Sequence, residues 1–237
     1  MKKTVSLLLI LSLVAGLLSG CGRQIDNSAY VPTGDAIVLE GQDPEDFIVE
    51  EESPPVTLAY NPEMSLNPLI GYSQNNRVLF SLMYQGLFTV NSNYEAVPIL
   101  CSAFQVAPSN MIYTCYIEPN ARFSDGSQVT AEDVIASYQY AMEHDYYKAR
   151  FRYHLAEVKL SSDGTGVTFM LNTPYENFPM LLDVPIVRAE DVEAEHPLGS
   201  GPYTFHGSGL NASLNRVPNW WADVDIPVRA PVIHLVT

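Results

Sequence analysis

The sequence predicts a mixed α/β fold of the α+β kind, and three observations carry that prediction. Two pairs of β-prone runs are each joined by turn residues, 104–106 with Ile112–Ile117 and Leu155–Leu160 with 167–171. A strong helix start stands at Thr130. Apolar, β-prone runs occupy 56–60 and 232–236, far apart in the chain. Strands and helices are interspersed without the regular alternation of a βαβ series, and no internal repeat is visible.

Order begins at Val56-Thr57-Leu58-Ala59-Tyr60, expected as a buried strand. Asn67-Pro68 marks a turn. Residues 75–87 place Leu79, Leu82, Met83 and Leu87 at helical spacing, with Gly86 expected as the stop. Pro108-Ser109-Asn110 turns the first hairpin, and Asp125-Gly126 forms a tight turn. Thr130-Ala131-Glu132-Asp133 then reads as a capping box, and Val134, Ser137, Tyr138 and Ala141 share one helix face. Asp163-Gly164 turns the second hairpin. Residues 178–182 form a short apolar helical segment, and Gly199-Ser200-Gly201-Pro202 a Gly-rich turn. The strand-like run 232–236 stops at Thr237 with no partner, cap or polar tail after it, so that more sequence is expected to follow.

The N-terminus has a different character. Lys2 and Lys3 precede an apolar run over 5–18, and Ser19-Gly20-Cys21 follows, the pattern of an export signal. Leu18-Ser19-Gly20-Cys21 resembles the bacterial lipobox, in which the cysteine thiol takes a diacylglyceryl group. Residues 1–20 are therefore expected as a lipoprotein signal peptide, with Cys21 the lipid attachment site. No Lys or Arg stands between Arg23 and Arg77, and ten acids fall in that gap. Residues 21–55 are expected as an acidic flexible tether, because the charges repel and little apolar surface offsets the entropy of ordering.

At 47% hydrophobic and 16% charged, the rest can bury a core. The net charge of −15 argues against nucleic acid or an anionic membrane surface as partner, since both need Lys and Arg. Cys101 and Cys115 are expected as two small buried side chains rather than a bridge. The five histidines show no paired metal spacing, so neither metal nor cofactor is expected. No Gly-x-Ser-x-Gly elbow is present, and turn and cap roles explain Asp125 and Asp133, so an enzyme is not expected. Gly199-Ser200-Gly201 lacks the Gly-Lys-Ser/Thr of a phosphate loop and suits a turn near a hinge. Trp220-Trp221 suits aromatic packing.

Several motifs, in order, resemble family 5 of the bacterial extracellular solute-binding proteins. Ser65-Leu66-Asn67-Pro68-Leu69 is similar to the family's "sLnPl", and Met83-Tyr84-Gln85-Gly86-Leu87-Phe88 to "-YegLf". Glu95-Ala96-Val97-Pro98-Ile99-Leu100 resembles its "-P.La". The most specific segment, residues 123–138, is close to "FsDGspvTAeDVv-Sy". Gly199-Ser200-Gly201-Pro202-Tyr203 resembles "GtGPY", and Pro218-Asn219-Trp220-Trp221 resembles "Np-YW". Cys101 departs from the family's usual Ala.

The resemblance implies the first lobe of a type II periplasmic-binding-protein clamshell, with the second lobe missing. It implies a first subdomain over 56–87 and 184–237 and an inserted one over 88–183. The implied role is capture of a peptide or other small solute for the permease subunits of an ABC importer, by a monomer held to the membrane only through its lipid. Ser73, Gln74 and Asn75 are the candidate cleft residues, although polar side chains before a helix equally serve as caps. A truncated surface lipoprotein that traps no ligand is the alternative reading. As written, the chain is expected to bind peptide weakly or not at all.

Overall fold

The computed structural model describes residues 56–70, 73–222 and 230–237. The expected signal peptide, Cys21 and the tether lie outside the described residues. Among those described, no helix is long and apolar enough to cross a membrane.

Two four-stranded sheets organise the chain. The first uses β1 (Val56–Ala59), β8 (Tyr203–His206), β9 (Ser213–Arg216) and β10 (Val232–Val236) in the order β1-β10-β9-β8. The second uses β4 (Cys101–Val106), β5 (Ile112–Ile117), β6 (Leu155–Leu160) and β7 (Gly166–Leu171) in the order β4-β5-β7-β6, all antiparallel. A small hairpin of β2 (Phe88–Val90) and β3 (Ala96–Pro98) connects them in sequence. The helices are α1 (Gln74–Met83), α2 (Ala131–Glu143) and α3 (Asp145–Phe151).

Both expected hairpins form, and the capping box is complete. Thr130 Oγ1 accepts from the Asp133 amide, while Asp133 accepts from the Thr130 amide. Asp133 also accepts from the Ala189 amide at 2.8 Å, which ties the cap to a distant segment. Val134, Ser137, Tyr138 and Ala141 are buried as the spacing predicts. Burial of an aromatic or branched side chain contributes about 1.5–3 kcal/mol. A ladder of rings fills the core: Phe88, Phe104, Tyr113, Phe178, Phe169 and Tyr138 follow one another at centroid distances of 4.9–5.6 Å. Each such pair adds about 0.5–1.5 kcal/mol beyond its area.

Two expectations are corrected. The strand β1 is half-buried rather than buried, because among the described residues it pairs only with β10 and lies at the sheet edge. The first helix ends at Met83, before Gly86, because tertiary bonds replace the helical ones. The Met83 carbonyl accepts from the Gly201 amide, and the Tyr84 hydroxyl is held by the Leu66 and Pro197 carbonyls. The run Val232–Val236 has partners on both sides, parallel β1 and antiparallel β9, and buries Ile233 and Leu235. Its parallel partner β1 lies 177 residues upstream, Val56 opposite Ile233, so no local signal announced the pairing.

The Gly-rich turn presses against the end of α1. A Cβ on Gly199 would lie 2.1 Å from the Met83 carbonyl oxygen, and one on Gly201 2.4 Å from that of Leu82. Only glycine permits this approach. Both Trp220 and Trp221 donate their indole N–H to the Ser200 carbonyl at 2.7 Å, which fixes the turn from the other side. Cys101 and Cys115 are buried free thiols; Cys115 stands opposite Phe104 and Cys101 opposite Ile117.

Candidate functional site

A cavity of about 300 Å³ opens beside α1, β2 and α3. That is the low end of the range for small-molecule sites. Its polar side chains come from distant positions: Arg77 on α1, Gln85 and Thr89 around the start of β2, Tyr146, Tyr147 and Arg150 on α3, and Asp183.

The walls are held by backbone bonds. The Phe88 amide donates to the Leu182 carbonyl at 3.0 Å, and the Ile186 amide to the Gln85 carbonyl at 2.9 Å. Residues 85–88 and 182–186 therefore run side by side. The second strip is locked from behind by Ser137, whose hydroxyl accepts from the Val187 amide and donates to its carbonyl. The α1 side is fixed by two buried asparagines. Asn67 donates to the Val192 and Ala194 carbonyls and accepts from the Leu69 amide. Asn76 bonds both the amide and the carbonyl of Asn61.

Within the cavity Arg150 pairs with Asp183 and also donates to the Met180 carbonyl at 3.1 Å. Arg77 lies over the Tyr146 ring, 5.9 Å from its centroid, within cation–π range. Tyr146 packs edge-on against Tyr147. The Tyr147 hydroxyl donates to the Pro68 carbonyl at 3.3 Å. Burial, foremost, pushes its pKa well above the ordinary value, and the Arg150 and Arg77 charges pull against that rise. It stays a neutral donor at physiological pH.

Of the cleft residues named from the sequence, Ser73 is the N-cap of α1, accepting from the Asn76 amide at 3.5 Å. Gln74 and Asn75 are exposed in the first turn. None of the three lines the cavity; Arg77, one turn further along the same helix, does. Sequence reasoning missed Arg77, Gln85, Thr89, Tyr146, Tyr147, Arg150 and Asp183 as site residues. Arg77 had a visible signal, since it ends the long stretch without cations. Asp125 and Asp133 serve the turn and the cap: Asp125 accepts from the Ser127 amide and hydroxyl and pairs with Arg188. Among the described residues, no group of three His, Cys, Asp or Glu side chains gathers as a metal site.

The described residues thus form a two-sheet body with a partly polar cavity beside its first helix. The profile described as bacterial extracellular solute-binding proteins, family 5 Middle, matches residues 95–233, more than half of the chain. The chain belongs to that family. It is 23% identical over 151 residues to the glutathione-binding protein GsiB of Pectobacterium atrosepticum, covering 60% of this chain and 29% of that protein. It is 28% identical over 159 residues to YejA of Escherichia coli, covering 62% and 26%. Among solved structures, the fold is similar to NikZ of Campylobacter jejuni in complex with Ni(L-His), with TM-score 0.64 and 20% identity over 77% of this chain and 38% of that one. It is also similar to DppA of Helicobacter pylori in complex with the peptide STSA, with TM-score 0.62 and 18% identity over 77% and 42%. The fold is thus the periplasmic-binding-protein type, to the extent of one lobe. The chain spans less than a third of the curated relatives it matches.

Proposed function

We propose that this chain is the solute-capturing component of an ABC importer, with peptides as the solute class and the cavity between α1 and α3 as part of its capture surface. The observation that carries the reading is the set of side chains left open there, in a chain of a solute-binding family. The peptide class is supported by the peptide complex of DppA and by the pheromone receptor PrgZ, whose structure concerns its mode of peptide binding and whose TM-score is 0.63. On this reading Cys21 carries a lipid that keeps the receptor at the extracytoplasmic face beside its permease. Residues 21–55 are the tether, and 88–183 are inserted into a subdomain made of 56–87 and 184–237. Ser73, Gln74 and Asn75 form the rim next to Arg77.

Two experiments test this. Equilibrium dialysis of the full chain against a random tripeptide pool, read by mass spectrometry, should show retained peptide, and replacing Ser73, Gln74 and Asn75 together with Ala should weaken retention. No retention at any concentration would remove the capture role. Growth with a clickable palmitate analogue should label the wild type and leave Cys21→Ser dark; label on the variant would remove the anchor.

A further inference from the structure

We infer that the cavity beside α1 and α3 recognises a carboxylate of the solute, with Arg77 as the residue that receives it. This rests on the capture reading above and names the chemistry the site selects.

The argument is a donor and acceptor inventory of the cavity wall. Most of its polar side chains are already engaged inside the protein. Ser81 donates to the Val78 carbonyl at 2.7 Å. The Tyr84 hydroxyl is taken by the Leu66 and Pro197 carbonyls, and that of Tyr147 by Pro68. Asp183 is the one acid among the described lining residues, and Arg150 already occupies it. What stays open is donor-rich. The Arg77 guanidinium makes no ion pair or side-chain hydrogen bond among the described residues, and neither do the Gln85 amide and the Thr89 hydroxyl.

Charge points the same way. The protein has 12 Lys and Arg against 27 Asp and Glu, yet two Arg and one Asp line this cavity. The wall is therefore locally positive in a strongly acidic chain, and solvent-exposed acids elsewhere keep anions away from other faces. The Arg77 guanidinium is also preplaced. Its Cζ lies 5.9 Å from the Tyr146 ring centroid, a contact that uses none of its N–H groups in a side-chain hydrogen bond, and a guanidinium can offer two of them to a bidentate acceptor. Phe80 and Pro185 add apolar wall beside these donors. A group with two acceptor oxygens next to a hydrocarbon portion meets all of these demands, and the terminal carboxylate of a peptide has that form. An ammonium group does not: the one acid that would receive it is neutralised by Arg150.

The test compares a random tripeptide pool bearing free C-terminal carboxylates with the same pool as C-terminal amides, each dialysed against the full chain and against Arg77→Gln. The wild type should retain the acids at least tenfold over the amides. Arg77→Gln should lose that preference, while its melting temperature stays within about 1 °C of wild type. Equal retention of acids and amides by the wild type would overturn the carboxylate assignment and leave the capture role standing. A preference that survives in Arg77→Gln would overturn the assignment to Arg77. Retention of neither pool would overturn both readings.

Discussion

The turn and helix cap over 123–133 and the cavity between α1 and α3 use similar side chains and differ in what those side chains have left to bond. In the first region both aspartates are satisfied from within: Asp125 by Ser127 and Arg188, Asp133 by Thr130 and Ala189. In the second, the side chains of Arg77, Gln85 and Thr89 make no ion pair or hydrogen bond among the described residues, while their neighbours Arg150 and Asp183 hold each other. The lesson concerns how to read a recurring motif. The segment that most strongly identifies the family is a folding device, closed on itself. The surface available for a ligand is assembled from residues with no motif of their own.

The comparison breaks most visibly at the internally closed positions. Asn67→Ala removes three hydrogen bonds and leaves the buried Leu69 amide and the half-buried Val192 and Ala194 carbonyls unpaired. A loss of about 3 kcal/mol is expected in urea unfolding, at the upper end for an unsatisfied buried group. A loss under about 0.5 kcal/mol would mean that water replaces Asn67 freely. At the open position, Arg77→Gln should leave the same unfolding curve within about 0.5 kcal/mol of wild type, because only an exposed cation–π contact is lost and no side-chain hydrogen bond or ion pair. A large destabilisation there would place Arg77 among the structural residues and remove the contrast.

Two smaller effects sharpen it. Asp163 is pulled down to about 2 by hydrogen bonds from Ser161 and Thr165. Its folded value lies below the unfolded carboxylate value of about 3.9. It therefore contributes stability that is present above pH 4 and is lost as pH falls toward 2. Asp163→Asn should flatten the thermal-stability profile in that window alone; an unchanged acid limb would show that other carboxylates govern it. The smallest effect is expected at Tyr138, whose buried hydroxyl has no partner among the described residues. Tyr138→Phe keeps the ring contacts with Phe151 and Phe169 and should change stability by less than about 1 kcal/mol. A loss of several kcal/mol would reveal a bond from that hydroxyl.

What could be read from the sequence was local. The Thr130 cap, the Asp-Gly turns and the alternating hairpin strands are decided within a few residues, and each stands where its pattern placed it. The boundaries that failed were set by distant partners. Tyr84 and Gly201 stop α1 before the sequence's own stop at Gly86, and the half-burial of β1 follows from its place beside β10, 177 residues away. The helix Asp145–Phe151, at seven residues, is too short to display a period, although its two buried side chains, Tyr147 and Phe151, stand four apart. The site was least legible of all. Arg77, Arg150 and Asp183 are separated by 73 and 33 positions, and nothing local joins them before the chain folds.

The most direct measurement is a ¹H–¹⁵N titration of the full chain with the free-acid tripeptide pool, following the Arg77 side-chain Nε–H and the backbone amides of Gln85, Thr89, Asp125 and Asp133. Saturable shifts at Arg77, Gln85 and Thr89, with Asp125 and Asp133 unmoved, are the expected result. Shifts confined to residues away from the cavity, or none at saturating peptide, would contradict the account.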